Sequence, residues 1–171
     1  MKKYFLIFLV AALLPLLYAS CKMSYGFTDA SIDYAKIKTV SVDVFPNFAP
    51  LAQPTLSQEF TEALRDIFLN QTRLDLVKRD GDLQFSGKIT GYNTRPVGIQ
   101  ANEVAAQNRL TITVSVKFVN KEDESRNFEQ TFSKYSDYDS NNSLSDVESA
   151  LIVEINELLT QDIFNKAVSN W

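Results

Sequence analysis

Between Arg109 and Val119 the chain alternates without a break, with Leu110, Ile112, Val114, Val116 and Phe118 on one side and Thr111, Thr113, Ser115 and Lys117 on the other. A period of two sustained over this length describes a strand with one buried and one polar face. Asn120 to Arg126 is a charged turn, and Phe128 to Tyr135 returns as a partner strand, so the pair reads as a hairpin. Whatever else the chain does, it must build an antiparallel sheet and find a layer to cover one face.

Two stretches can supply that layer. Pro54 opens the first, at a position where its missing N–H costs nothing, and Thr55 with Gln58 has the spacing of a capping box. Leu56, Phe60, Ala63, Leu64, Ile67 and Phe68 then recur at helical spacing, leaving Glu59, Glu62, Arg65 and Asp66 to water, and the helix is expected to end near Asn70 or Gln71. Ser145 and Glu148 make a second box ahead of Val147, Leu151, Ile155, Leu158, Leu159, Ile163 and Ala167, the stripe of a long final helix.

Further strands come earlier in the chain. Ile37 to Phe45 places Val40, Val42 and Val44 on one face and Thr39, Ser41 and Asp43 on the other. Leu74 to Val77 is a short strand, and Asp80-Gly81 is the kind of dipeptide that turns a hairpin. Leu83, Phe85, Gly87, Ile89 and Gly91 alternate against Gln84, Ser86, Lys88, Thr90 and Tyr92, with Gly87 and Gly91 leaving room for close packing. Residues 93 to 107 form a long excursion containing Pro96 and Gly98, of a length more often functional or mobile than structural. The expected fold is α+β: a two-layer α/β sandwich, with a mixed four- to five-stranded sheet carrying two helices on one face. Its other face is left to small polar residues.

The N-terminus places the chain. Lys2 and Lys3 precede an apolar run from Tyr4 to Leu17, and Ala19 and Ser20 lead directly into Cys21, the only cysteine. Basic start, short apolar core and small residues at the cut describe a secretory signal over residues 1–20, and the run is too short for a spanning helix. Cys21 resembles the acylated cysteine of bacterial lipoproteins, although Tyr18 stands where that motif usually has Leu. The expectation is a lipid anchor at Cys21, palmitate among its acyl chains, a tether over 21–36 and one domain over 37–171.

Loss of the signal removes Lys2 and Lys3 and moves the formal net charge from −4 to −6. An acidic chain is a poor partner for nucleic acid, whose binding is dominated by phosphate neutralisation. The absence of histidine removes the commonest general base and the commonest metal ligand. The acidic pairs Asp80 with Asp82, and Asp137 with Asp139, sit in turns where Asp is expected for local hydrogen bonding. The sequence therefore offers no catalytic residues, no metal site and no cofactor site, and reads as non-enzymatic.

The stretches NFAPLAQPTLSQEFTEALRDIFLNQTRLDLVKRDGDLQFSGKITGY (Asn47 to Tyr92), AAQNRLTITVSVKF (Ala105 to Phe118) and DIFNKAVSNW (Asp162 to Trp171) resemble LptE, the lipopolysaccharide-assembly lipoprotein family of the outer membrane. The resemblance implies a partner that sits inside an LptD-type barrel, helps it fold and contacts lipopolysaccharide in transit. A polar sheet face suits a water-filled barrel interior. Thr111, Thr113 and Ser115 are accordingly the candidate partner contacts. Lipid A and inner-core phosphates are recognised by Arg and Lys. Lys88 and Lys117 on the polar face, and Arg95 and Arg109 bracketing the excursion, are the candidate lipopolysaccharide contacts, chosen on geometry. The competing class is a periplasm-facing lipoprotein module for another envelope partner or ligand, since fold does not fix function.

Overall fold

A computed structural model describes residues 32–97 and 107–168. The signal, Cys21, most of the tether, residues 98–106 of the excursion and the terminal Trp171 lie outside the described residues.

Five strands form one mixed sheet. They are β1 (Thr39–Val42), β2 (Asp75–Val77), β3 (Leu83–Val97), β4 (Gln107–Asn120) and β5 (Phe128–Asp139), in spatial order β2-β1-β3-β4-β5. Strand β1 runs parallel to both neighbours, and β3–β4 and β4–β5 are antiparallel. Helices α1 (Leu56–Gln71) and α2 (Leu144–Val168) cover one face, as the alternation requires. Leu110, Ile112, Val114 and Val116 of β4 are fully buried beneath them, with Phe60, Leu64 and Phe68 from α1 and Ile155, Leu159 and Phe164 from α2.

A chain of aromatic contacts runs through this core. Phe68 of α1 meets Phe164 of α2 at 5.1 Å and Phe85 of β3 at 4.8 Å, and Phe85 meets Phe118 of β4 at 4.8 Å. Such tilted ring pairs contribute about 0.5–1.5 kcal/mol each beyond their burial, and here they tie both helices to the sheet centre. Burial already begins at Ile32, within the stretch expected to be tether.

Strands β2 and β3 do not form the hairpin that Asp80-Gly81 suggested. Both lie beside β1, one on each side, and the chain crosses β1 between them. Asp80 supplies the left-handed turn at φ +58°, a conformation that Asp tolerates better than most side chains. Gly81 then lies against the β1 backbone, where a Cβ would stand 2.6 Å from the Ser41 nitrogen, so only glycine fits. The Gly81 N–H donates to Ser41 Oγ, which places the crossing on the face opposite the helices. Asp82 completes the crossing: its carboxylate accepts from the N–H groups of Lys38 and Thr39 and from the Thr39 hydroxyl, at 2.8–2.9 Å. These bonds, led by the Lys38 N–H, hold the Asp82 carboxyl below its usual pKa.

Several side chains depart from strict alternation. Beyond Val42 the backbone slips by one residue, so Val44 is exposed and Phe45 takes the core position. A register shift between Ile89 and Gly91 turns Gly91 to the open face beside Thr113 and buries Tyr92. Strand β3 runs on to Val97, paired with β4 throughout, so the start of the expected excursion is strand.

Neither capping box forms as expected. Thr55 caps α1 without a side-chain bond to the helix. Helix α2 starts at Leu144, ahead of Ser145, and Glu148 instead accepts from the Tyr92 hydroxyl and from Gln53 Nε2. The Tyr92 hydroxyl is raised in pKa by its burial and by that carboxylate. Leu158 stands partly in solvent, its place in the core taken by Ile152 and Phe164.

Candidate functional site on the open sheet face

The uncovered face of β3, β4 and β5 reads as ladder rows. Ser86, Lys117 and Glu129 lie abreast, followed by Lys88, Ser115 and Thr131, then Gly91, Thr113 and Ser133, then Asn93, Thr111 and Tyr135, and last Arg95, Arg109 and Asp137. The middle of the face is small and uncharged, with Thr113 Oγ1 and Ser133 Oγ 3.0 Å apart. Charge lies in the first two rows, with Lys117, Glu129 and Lys88, and in the last, with Arg95, Arg109 and Asp137.

At the Lys117 end the crossing segment, residues 78–82, raises a wall, and with the sheet it borders a groove of about 710 Å³. Ser41, Asp43 and Val44 from the β1 segment, Gln84 and Ser86 from β3 and Lys117 from β4 line it, with Lys78, Arg79 and Asp80 from the crossing and Arg65 from α1. Four cations stand against two carboxylates, so the groove is locally positive in a chain of net charge −4. Arg65 is already engaged, donating to Glu62 and to the Val42 carbonyl at 2.8 and 2.9 Å. Lys78, Arg79 and Lys117 are the cations left to meet a ligand.

At the opposite end Arg109 is already paired. Arg109 makes a two-pronged bond with Asp137, at 2.6 and 2.8 Å, and its guanidinium lies 3.5 Å from the Tyr135 ring centre. The Asp137 bond raises the Arg109 pKa, and the same bond lowers that of Asp137. Arg95 sits directly across from Arg109 in the register.

The four basic residues chosen from sequence thus fall in three places. Lys117 lines the groove, Lys88 stands one row further along with its ammonium 5.8 Å from the Phe48 ring centre, and Arg95 and Arg109 share the far end. Lys117 lies eight steps along β4 from Arg109, about 27 Å of strand, so one phosphorylated headgroup cannot span both. Thr111, Thr113 and Ser115 do share the open face, with Thr113 at its uncharged centre and Ser115 beside Lys88. Lys78 and Arg79 went unnoticed in sequence because the turn they occupy gives no hint of what it crosses. Among the described residues no acidic cluster has a metal-holding arrangement.

The architecture has counterparts among solved structures. The protein XCC0632 from Xanthomonas campestris superposes with a TM-score of 0.53 at 9% identity, covering 78% of this chain and 85% of its own. Lipoprotein B from Nitrosomonas europaea gives 0.51 at 11% identity, covering 77% and 83%. A putative neuraminyllactose-binding hemagglutinin homologue from Helicobacter pylori gives 0.51 at 8% identity, covering 77% and 82%. At such identities the likeness is one of fold alone. No curated protein matches the chain in sequence. Residues 37–167 match the lipopolysaccharide-assembly family LptE, a span that takes in every strand and nearly all of the second helix. With its two helices on a mixed five-stranded sheet, the chain belongs to the LptE family.

Proposed function

We propose that the chain is a non-enzymatic lipoprotein, anchored in the outer membrane through acylated Cys21 and facing the periplasm. In this reading it plugs an LptD-type β-barrel, assists its assembly and helps pass lipopolysaccharide to the outer leaflet. The family match over residues 37–167 carries the reading. The small polar side chains Thr111, Thr113 and Ser115 of the open face supply a surface suited to a water-filled barrel interior. The groove at its end supplies cations for phosphate in Lys78, Arg79 and Lys117, with Lys88 one row away.

Extraction of the full chain from membranes in detergent should bring an outer-membrane barrel with it. A photocrosslinking residue in place of Thr113 should join the two, and one in place of Glu62, on the exposed side of α1, should not. Crosslinks from Glu62 with none from Thr113 would show that the contact lies on the helix side. Lys78→Glu with Lys117→Glu should weaken binding of lipopolysaccharide with a strong dependence on salt, as expected for exposed charges. The anchor is tested separately: Cys21→Ala should abolish incorporation of labelled fatty acid and release the protein from membranes.

A further inference from the structure

The loop from Val44 to Pro54 exposes apolar side chains that the fold does not use. Val44 is 62% exposed, Phe48 69% and Leu51 94%, while Phe45 and Ala49 between them are buried. Leu51 also holds a left-handed backbone at φ +67°, which a branched side chain adopts at a cost. The loop is nevertheless stiff. Pro46, Pro50 and Pro54 fix the backbone at every fourth residue, and Asn47 Oδ1 accepts the Ala49 N–H at 2.9 Å. Its first half is tied to β3 as well, with the Ile89 N–H donating to the Pro46 carbonyl and the Phe48 N–H to the Ile89 carbonyl. A rigid loop that holds Phe and Leu in water has the preorganised form of an interface anchor.

Charge narrows the choice of occupant. Lys88 lies against the Phe48 ring and has no ion-pair partner among the described residues, so the patch presents one cation beside two apolar anchors. Anionic lipid surfaces draw clusters of basic residues, and the groove cations line the Val44 end of the loop, whereas Lys88 is the cation placed on the Phe48 ring. A protein surface with an apolar pocket and a carboxylate at its rim fits all three side chains. The patch is also continuous, through Lys88, with the open sheet face.

We infer that Phe48 and Leu51 are the anchoring side chains that seat this domain on its protein partner, with Lys88 meeting a carboxylate at the edge of the pocket. The inference rests on the barrel reading proposed above and moves the strongest contact from the sheet face to this loop. With the full chain in membranes, a photocrosslinking residue at Leu51 should join the barrel, and one at exposed Val153 on α2 should not. Phe48→Ser with Leu51→Ser should lower the barrel recovered by about tenfold or more, while the melting temperature of the variant stays at that of the parent. Lys88→Glu should lower recovery less, and a compensating acid-to-lysine change in the crosslinked barrel peptide should restore it. If the parent recovers the barrel and the serine variant recovers it equally, the inference falls and the barrel reading stands. If the parent recovers no barrel, both fall together. Crosslinks from Leu51 to lipid, with flotation on anionic vesicles that the serine variant loses, would give the patch to a membrane and overturn the inference.

Discussion

Strand β4 presents Leu110, Ile112, Val114 and Val116 to the helices and Thr111, Thr113 and Ser115 to the open side, so one backbone carries two sets of side chains under different rules. On the covered face each residue is packed on all sides, and its identity is set by volume and polarity. On the open face neighbouring side chains meet only along the ladder, as Thr113 meets Ser133. Folding constrains the first set and leaves the second available for contact with something outside the chain.

Substitutions can sharpen or break this contrast. The largest effect is expected from Leu64→Asp or Val114→Asp, which buries an unpaired charge among side chains with no exposure. Each should cost more than about 4 kcal/mol and abolish the cooperative thermal transition followed by circular dichroism. A parent-like melt would mean that the faces are wrongly assigned.

Gly87→Val comes next, since a Cβ there would stand 2.1 Å from the Ser115 carbonyl oxygen and 2.6 Å from the Phe45 ring. The overpacking should cost about 3 kcal/mol in a denaturant titration.

Asp82→Asn tests the crossing strand at its carboxylate and should cost about 1 kcal/mol at neutral pH, solvent around the part-exposed group reducing the value of its hydrogen bonds. Because the folded-state pKa is depressed below the ordinary 3.8, its stabilisation is present above that value and is lost as pH falls through the folded pKa. The stability gap between parent and variant should therefore close in acid. A gap that persists well below that range would assign the stabilisation to shape instead of charge.

The smallest effect on stability belongs to Thr113→Arg with Ser115→Arg, expected to lie within about 0.5 kcal/mol of the parent. The same pair should strongly reduce copurification of the barrel. Loss of folding instead would show that the open face is part of the core economy of the domain.

What could be read from sequence follows where the backbone stays regular. The β4–β5 hairpin and the burial of β4 were legible because the period of two is unbroken over that stretch. Parity failed at Val44 and at Tyr92, each just past a slip in the backbone, because one inserted residue moves every later side chain to the other face. The hairpin reading of Asp80-Gly81 was right about the left-handed Asp80 and wrong about the left-handed Gly81 that such a turn requires and about the neighbour. A turn dipeptide reports φ and ψ, whereas β1, the strand being crossed, lies some forty residues earlier. Glu148 has capping-box spacing, yet a buried tyrosine hydroxyl and Gln53 compete for its carboxylate. The groove stayed hidden for the same reason as the crossing, since only the sheet register brings Lys117 near Lys78 and Arg79.

The crossing strand also dictates a sequence of events in time. Strand β1 is made first, but its partners lie 36 and 43 residues downstream, whereas Phe118 and Phe128 of the β4–β5 hairpin are ten apart. Closing the longer loop costs about 1.3 kcal/mol more chain entropy than closing the shorter. The hairpins should therefore form early, and β1 should dock late, once the Asp80–Asp82 turn has drawn β2 and β3 to either side of it. Trimming Val40 to Ala should then quicken unfolding and leave refolding almost unchanged, while trimming Val114 to Ala should slow refolding. Until that docking, a newly made chain carries an unpaired valine-rich strand near its N-terminus, the segment most exposed to mispairing before the sheet closes.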